Sequence, residues 1–459
     1  MLIRFTVKNF SSFRDETIFS MSAGQFRRHP SHVIDINGHP ILKGAFLFGA
    51  NASGKSNFVR AVAFARNLVR YGIDEVDVDR KYFRLSPNGH EDEGLFQFDI
   101  FIKGGLFYSY MIAISYSKAC IIGEMLMANA DGEDPKCVFA YEVGADGVVN
   151  FESDFTLEDE DARRFEVYRE DAEAVQKRKE SFLSEIAKRA VKQRTSHFFN
   201  HFRNVYRWFG KLLVLFPDSR YEGFDYIEDV EDRVKLGELL HAFDTGIDSL
   251  QTENADMDKI LSVVPEKKRE EMKARLIRNL TGEYKSDAVG LRAGDNSYMV
   301  TYDGQRLVAK KIVANHGIDG ESFEREDESD GTKRLFDILP LRDVFSSGRV
   351  VIVDELDRSL HTKATTEFIK MFYRAAEGHQ SQLIATTHDH NILDLDMLRQ
   401  DEIWFVERDK EHCSRLFPLT QFKARFDKDI RKDYLLGRYG ALPIFGDLSN
   451  DDTDAERET

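Results

Sequence analysis

The sequence predicts a mixed α/β fold with a phosphate-binding loop and a helical insertion, and three observations lead to this prediction. An apolar run at residues 45–48 is followed by a glycine-containing loop and then by a helical pattern over residues 56–71. A second apolar run, at residues 350–353, ends in two carboxylates. Between these segments, residues 151–285 have a helical and strongly charged pattern. We therefore expect one α/β sheet whose two halves are separated in the chain by helices.

Several further segments read as strands. The pattern of residues 1–20 predicts a strand, then a turn near residues 9–13, and then a second strand. Residues 95–102 and 106–114 are apolar and rich in aromatic side chains, and the glycine pair before residue 106 favours a hairpin turn because glycine readily adopts positive φ. Other strands are predicted at residues 298–302, 307–313 and 383–386, and in a hairpin over residues 402–419.

The predicted domain organisation follows from this order. Residues 1–150 form the first half of an α/β domain, with the glycine loop and an antiparallel β-subdomain. Residues 151–285 form the helical insertion, and residues 286–448 form the second half of the α/β domain. The acidic and polar residues 449–459 are predicted to be a disordered tail.

Composition restricts the classes of protein to which the chain can belong. The formal net charge is −16, and such a surface repels phosphate backbones, which argues against a general nucleic-acid coat protein. No apolar run approaches the length needed to cross a bilayer, and residues 1–7 alternate like a strand rather than a signal peptide. We therefore expect a cytoplasmic protein without a membrane segment. The three cysteines, Cys120, Cys137 and Cys413, are too widely spaced for a disulfide framework or a cysteine zinc site.

The glycine loop at residues 49–56 fits the pattern G-x-x-x-x-G-K-[ST] in full, between a predicted strand and a predicted helix. Such a loop curls so that backbone N–H groups converge on phosphate oxygens at a helix N-terminus. Lys55 is expected to reach the β- and γ-phosphates of ATP, and the Ser56 hydroxyl to ligate Mg²⁺. The predicted nucleotide-binding residues here are Gly49, Asn51, Ser53, Gly54, Lys55, Ser56 and Asn57.

Asp354 and Glu355 follow the buried-strand candidate at residues 350–353. In open α/β sheets, ligands lie at the carboxyl ends of the strands, where these two acids are expected to emerge. Asp354 is predicted to hold Mg²⁺, directly or through water. Glu355 is predicted to be the catalytic base that accepts a proton from the attacking water or orients it.

Two weaker patterns lie in the second half of the chain. Ser329-Asp330-Gly331 precedes an apolar helix, and it is typical of an ordinary helix cap as well as of a set of donors to an anion. His388 follows the strand predicted at residues 383–386, where a histidine can hydrogen-bond a γ-phosphate. His388 and His390 could alternatively bind a metal, although no further ligand cluster is visible in the sequence.

The order of these motifs resembles the ABC-type ATPase heads of the SMC, Rad50 and RecF proteins. Residues 9–13, Asn-Phe-Ser-Ser-Phe, look like the short motif near the start of those heads, and residues 356–361 look like their D-loop, carried on Asp357. The run at residues 328–335 is similar to that of the RloA-like bacterial ATPases of the AAA15 type, which are relatives of the ATPase half of OLD-family nucleases. Residues 1–10, 401–407 and 437–441 also resemble segments of these RloA-like ATPases.

The resemblance implies an ABC-type P-loop head in which two copies close around ATP. Ser329 and Gly331 would form the signature that touches the γ-phosphate held by the partner copy, whereas transporter heads commonly carry Gly and Gln where this chain has Asp330 and Thr332. Gln97 is the candidate for the Q-loop glutamine, although a solvent-facing glutamine in the middle of a strand gives the same pattern.

Three functional hypotheses remain open at this point. The first is a homodimeric or larger ATP-hydrolysing switch that controls a separate effector in phage defence, such as a nuclease (Toprim-like, for example) or a toxin, and this role is implied by the resemblance alone. The second is a DNA-repair or DNA-end-binding ATPase. The basic stretch from Lys177 to Lys211 is compatible with a nucleic-acid contact, and equally with a solvated helix face or a protein dock. The third is an ATP-bound scaffold with little turnover, against which Glu355 argues.

Overall fold

The computed structural model describes residues 1–102, 104–130, 134–144, 147–157, 159–175, 177–189, 197–219, 225–281, 287–294, 296–318, 320–422 and 429–442. The predicted disordered tail at residues 449–459 lies outside this part of the chain. The chain divides into two compact units. The first comprises Met1–Pro217, Phe345–Leu356 and Phe372–Thr459, and the second comprises Asp218–Val344 and Asp357–Met371. This division differs from the sequence-based one, which placed boundaries near residues 150 and 285.

The strands, in chain order, are β1 Leu2–Lys8, β2 Thr17–Ser20, β3 Val33–Ile36, β4 His39–Leu42, β5 Gly44–Phe48, β6 Glu93–Ile102, β7 Leu106–Ser115, β8 Cys120–Ala130, β9 Lys136–Val143, β10 Val149–Glu152, β11 Leu213–Leu215, β12 Ser249–Ala255, β13 Val289–Ala293, β14 Asn296–Tyr302, β15 Leu307–Asn315, β16 Val350–Val353, β17 Gln382–Thr386, β18 Ile403–Arg408 and β19 Ser414–Pro418. The strands predicted near residues 2–20, 95–114, 298–313 and 402–419 are confirmed.

The helices are α1 Lys55–Tyr71, α2 Asp159–Ala174, α3 Phe182–Arg189, α4 Phe198–Lys211, α5 Asp225–Glu228, α6 Val230–Ala242, α7 Met257–Ile260, α8 Glu266–Thr281, α9 Asp330–Ile338, α10 Leu341–Phe345, α11 Thr362–Ala375 and α12 Ile430–Leu435. No helix in the described part of the chain is both long and apolar enough to cross a membrane.

A six-stranded, mostly parallel sheet positions the predicted site in the first unit. Its order is β11-β16-β17-β5-β18-β19, and only the β18–β19 pair is antiparallel. Every residue of β5, β16 and β17 is buried. Continuous apolar runs are expected for parallel strands that are covered on both faces. The carboxyl ends of these three strands meet at one edge, where the glycine loop, the acid pair and His388 follow them.

The first unit also contains a seven-stranded antiparallel sheet with the order β10-β9-β8-β7-β6-β1-β2. Its strands alternate buried and partly exposed side chains, as a sheet with one covered face requires. Phe5, Phe96, Phe98 and Tyr110 are fully buried and belong to the core of this unit. The antiparallel β-subdomain predicted within residues 1–150 is therefore present.

The second unit contains a four-stranded antiparallel sheet with the order β12-β15-β14-β13. Ile260 at the end of α7 and Leu280 in α8 pack with Tyr298, Val300 and Ala309 of this sheet to form a small core. Helix α9, which carries the Ser329-Asp330-Gly331 motif at its start, belongs to the same unit.

The prediction that residues 151–285 are helical throughout is wrong at two places. The strand β11 pairs in parallel with β16, and β12 pairs antiparallel with β15. β11 has only three residues, Leu213-Val214-Leu215, which also fit the end of a helical pattern. β12 is largely polar and exposed because it lies at a sheet edge, so apolar periodicity does not reveal it.

Candidate nucleotide site

The glycine loop connects the end of β5 to the start of α1 in the conformation that its residues favour. Gly54 caps α1 with a φ of 115°, and Ala52 has a φ of 61°. A Cβ atom at position 54 would lie 2.0 Å from the Ser414 hydroxyl, so both the backbone angle and the available space require glycine. In the described part of the chain no side chain caps α1, whose N-cap residue is Gly54 of the loop itself.

Lys55 is buried at the first position of α1 and folds back over its own loop. Its Nζ atom donates hydrogen bonds to the carbonyl oxygens of Gly49, at 2.6 Å, and Ala50, at 2.9 Å. The same atom lies 3.5 Å from Nδ1 of His388. The structure thus brings together two residues that are 333 positions apart and that the sequence assigned to the same phosphate.

A chain of side-chain hydrogen bonds holds the loop from outside. The amide of Asn57 donates to the Ser12 hydroxyl at 2.9 Å, and the Ser12 and Ser414 hydroxyls lie 2.7 Å apart. Ser414 in turn donates to the carbonyl oxygen of Ser53 at 2.6 Å. Asn57 was predicted to bind nucleotide, and here it supports the loop. Ser414 was missed, since a single serine 361 residues away carries no sequence signal.

An observation that is independent of the sequence motif also indicates that the loop fits a phosphate group. The Ser53 side chain is 3% exposed, and its hydroxyl has no hydrogen-bond partner in the described structure. A buried hydroxyl without a partner is costly, and such groups mark places where a ligand or water completes the bonding. An anion in the loop would supply that acceptor at the N-terminus of α1.

Asp354 and Ser56 meet at the edge of the same sheet. The Ser56 hydroxyl donates to Oδ1 of Asp354 at 3.2 Å, and Asp354 is 1% exposed. Thr386, at the end of β17, donates to the same oxygen at 2.6 Å. A serine hydroxyl and a carboxylate are oxygen ligands of the kind that Mg²⁺ prefers. These residues therefore fit the predicted cation.

Glu355 adopts an uncommon backbone conformation, with a φ of 49°. Its N–H donates to the Thr386 hydroxyl at 2.8 Å, and the N–H of Leu356 donates to the Thr386 carbonyl oxygen at 2.9 Å. The Thr386 hydroxyl therefore contacts both acids of the pair: the carboxylate of Asp354 and the backbone N–H of Glu355. The sequence did not identify Thr386, because its role depends on the register in which β17 pairs with β16.

The predicted signature lies in the second unit. Ser329 is the N-cap of α9, and its hydroxyl accepts a hydrogen bond from the N–H of Thr332 at 3.1 Å. Both interpretations of the motif are thus compatible with the structure, since Ser329 is a helix cap and is also exposed. Gly331 is needed for close approach, because a Cβ atom there would lie 2.9 Å from the Ser359 carbonyl oxygen. Asp357, the D-loop candidate, is half-buried in the same unit.

Gln97 does not lie with the phosphate loop. It is in the middle of β6, between Thr6 of β1 and Met111 of β7. Its amide donates to Asp99 at 3.1 Å and to Ser109 at 3.0 Å, within the seven-stranded sheet. The side chain is used in a lateral network on that sheet, and the prediction that Gln97 is the Q-loop glutamine is not supported.

The described residues contain no group of three or more His, Cys, Asp or Glu side chains that could hold a metal ion. His390 begins a 3-10 turn that is capped by the Asp389 carboxylate. The metal alternative for the two histidines therefore gains no support from the described part of the chain.

Several basic side chains of the stretch from Lys177 to Lys211 already pair with acids. Arg178 and Arg189 both contact Glu185, and Lys179 lies 3.0 Å from Asp74. Residues 190–196 of this stretch lie outside the described structure. These ion pairs favour a structural role over a continuous basic surface in the residues that are described.

A protein family described as "AAA domain, putative AbiEii toxin, Type IV TA system" matches residues 45–394. No curated protein matches the chain. Among solved structures, an SmcHead bound to the C-winged helix domain of ScpA is similar with a TM-score of 0.42 and 12% identity, over 91% of this chain and 97% of that chain. The SMC head domain from Thermotoga maritima is similar with a TM-score of 0.32 and 11% identity, over 91% and 98% of the two chains.

Proposed function

The chain belongs to the AAA-domain family that matches residues 45–394, and from that premise we propose that it is an ATP-hydrolysing switch whose two ATP sites form between two copies of the chain. The observation that carries the proposal is the meeting of Ser56, Asp354 and Thr386 at the edge of the sheet that also holds Lys55. The neighbourhood of these residues on one sheet edge supports a phosphate loop, a cation site and a base that act together.

The triphosphate binds in the glycine loop. The N–H groups at the start of α1 and the Ser53 hydroxyl donate hydrogen bonds to phosphate oxygens. The Lys55 ammonium leaves the two loop carbonyl oxygens and binds a phosphate instead. Ser56 and Asp354 hold Mg²⁺, which when bound neutralises charge on the phosphates. The negative charge of the nucleotide is thus offset by a lysine, a helix N-terminus and a cation.

Glu355 is the general base for the attacking water, and His388 contacts the γ-phosphate. The base stands one residue beyond Asp354, and its backbone N–H is fixed by Thr386 at 2.8 Å. His388 follows the same strand as Thr386 and lies 3.5 Å from the Lys55 ammonium. A histidine at this point can report the loss of the γ-phosphate after hydrolysis.

The site is completed by the second copy. Ser329 and Gly331 at the exposed N-terminus of α9, together with Asp357, supply donors and contacts to the γ-phosphate held by the partner. ATP holds two copies together because each half-site leaves anionic oxygens uncovered, and hydrolysis releases the copies. In the cell the switch controls a separate nuclease or toxin in phage defence. The toxin–antitoxin wording of the family description is consistent with such a partner.

The test is the mass in solution of the Glu355→Gln variant, measured by light scattering with and without Mg-ATP. The same samples are analysed for bound nucleotide. We expect mass growth, or a fixed assembly with trapped ATP, because the variant binds ATP and does not hydrolyse it. The Glu355→Gln/Lys55→Ala double variant is the control that removes nucleotide binding. A Glu355→Gln protein that binds ATP and stays monomeric would overturn the composite-site proposal.

A further inference from the structure

The segment that leads into α9 is fastened to the four-stranded sheet of the second unit. We call residues 320–329 the signature lead. Phe323 forms a β-bridge with Ala314, the penultimate residue of β15, through two backbone hydrogen bonds of 2.8 and 2.9 Å. The next residue, Glu324, contacts the Lys311 ammonium and accepts a hydrogen bond from the Asn296 amide at 2.6 Å. Residues 323 and 324 of the lead are therefore anchored to β14 and β15.

One histidine, His316, anchors the C-terminal end of the lead. Nε2 of His316 lies 2.9 Å from Oε1 of Glu328, the residue directly before Ser329. Nδ1 of the same ring lies 2.9 Å from the carbonyl oxygen of Gly246, in the loop between α6 and β12. Both partners present acceptor oxygens, so the His316 ring links the signature lead to the Gly246 loop through its two nitrogens. The Phe323 ring packs against it edge-on, with centroids 4.9 Å apart.

We propose that His316 is a positioning residue for the signature: it ties Glu328 to the Gly246 loop and so fixes the direction in which Ser329 and α9 present their donors to a second copy. This inference rests on the proposed function, since it needs Ser329 to act on the partner's nucleotide. The Glu328 side chain is only 7% exposed, and Glu328 directly precedes the cap residue Ser329. Loss of this hydrogen-bond partner would leave the nearly buried Glu328 side chain favouring movement toward water, and the neighbouring cap residue would move with it.

The titratable side chains near the ring and the Gly246 loop come from three segments. Glu328 approaches from the signature lead. Asp248 directly precedes β12, and its carboxylate oxygen would lie 2.4 Å from a Cβ atom on Gly317. His241 in α6 lies 3.5 Å from Asp248 and contacts the Ile247 carbonyl oxygen at 3.1 Å. Two histidines therefore hold the same loop, but of the two only His316 has a described hydrogen bond to the signature lead.

This pair of histidines provides a matched experiment. We expect His316→Ala and His316→Gln to lower the ATP turnover number at saturating Mg-ATP roughly tenfold, while the affinity for a fluorescent ATP analogue stays at the wild-type value. Nucleotide affinity is set by the phosphate loop in the first unit. His241→Ala should leave both quantities unchanged. Glu328→Ala should reproduce the loss, and the His316→Ala/Glu328→Ala double variant should lose no more than either single variant.

Wild-type turnover in both His316 variants and in Glu328→Ala would overturn the proposal. A parallel loss of nucleotide affinity or of thermal stability in His316→Gln would also overturn it, because the residue would then be merely structural. Ser329→Arg distinguishes a failure of the positioning role from a failure of the composite site. If Ser329→Arg abolishes turnover and the His316 variants do not, only the positioning role is wrong. If Ser329→Arg has no effect, the composite site itself is wrong, and the role of His316 falls with it.

Discussion

The Lys55 ammonium lies 2.6 Å from the Gly49 carbonyl oxygen, so the residue expected to bind phosphate also closes the loop that it serves. Lys55→Ala removes the cation and leaves two loop carbonyls without this donor. We expect nucleotide affinity to fall at least about 100-fold, because a charge-assisted contact to phosphate is lost. Titration with a fluorescent ATP analogue measures this, with Lys8→Ala, an exposed residue at the end of β1, as the control. Unchanged affinity in Lys55→Ala would contradict the phosphate-binding assignment.

Ser414→Ala tests the support of the phosphate loop. The substitution breaks the link between Ser12 and the Ser53 carbonyl oxygen, and we expect a loss of about 1 kcal/mol in the free energy of unfolding. Nucleotide affinity should fall several-fold because the loop is no longer held in its binding conformation. Ser109→Ala is the matched control, since it removes a hydrogen bond of 2.7 Å to Asp99 in the seven-stranded sheet. It should cost similar stability and leave affinity unchanged. Equal affinities in the two variants would refute a support role for Ser414.

Thr386→Val removes the hydroxyl that bonds both acids of the pair. Asp354 and the Glu355 N–H would each lose a buried partner, and we expect unfolding to become easier by about 1–3 kcal/mol. Turnover should fall at least about tenfold while nucleotide still binds, since the phosphate loop is untouched. Calorimetry and a phosphate-release assay measure the two effects.

The control for Thr386 is another fully buried threonine in the described structure. The Thr365 hydroxyl has no hydrogen-bond partner there, so Thr365→Val should be neutral or stabilising and should leave turnover intact. If Thr365→Val destabilises the protein as much as Thr386→Val, the cost arises from packing and not from the hydrogen bonds.

How much of this site the sequence predicts depends on the range of each interaction. The phosphate loop and the acid pair follow fully buried strands, and their order along the chain predicts both the strands and the edge at which they meet. Ser12, Thr386 and Ser414 were missed because their partners become neighbours only through strand pairing. The assignment of Gln97 gains no support, because alternation along β6 does not reveal that this half-buried glutamine contacts Asp99 and Ser109. β12 was read as part of a helical segment because an edge strand can remain polar on both faces.

The buried Glu124 gives a prediction for pH. This carboxylate accepts hydrogen bonds from the N–H groups of Phe182 and Leu183 at the start of α3 and from the Tyr110 hydroxyl. Burial raises the pKa of Glu124 above its ordinary value of 4.5, although these donors oppose the shift. A carboxyl group with a raised pKa in the folded state contributes stability that is present below pH 4.5 and is lost as the pH rises through the folded value.

The matching experiment compares wild type with Glu124→Gln by urea unfolding across the pH range from about 4 to 8. We expect the free energy of unfolding of the wild type to decrease relative to the variant as the pH rises, and the difference to level off above the folded pKa. The variant removes this titration, so other groups cancel in the comparison. A difference in the free energy of unfolding that is constant with pH, or that changes in the opposite direction, would show that the pKa of Glu124 is not raised in the folded state.

Ser329→Arg tests whether the signature acts on the other copy. The large cation blocks the N-terminus of α9 from a partner's nucleotide, and we expect turnover to be lost while nucleotide binding persists. Ser322→Arg, at an exposed position upstream in the same segment, should retain activity. Mixing Ser329→Arg with the separately inactive Lys55→Ala gives the decisive measurement. One of the two sites in a mixed dimer then combines an intact phosphate loop with an intact signature from the other chain. Recovery of turnover on mixing is the expected result, whereas two variants that stay inactive together would point to a site within one chain.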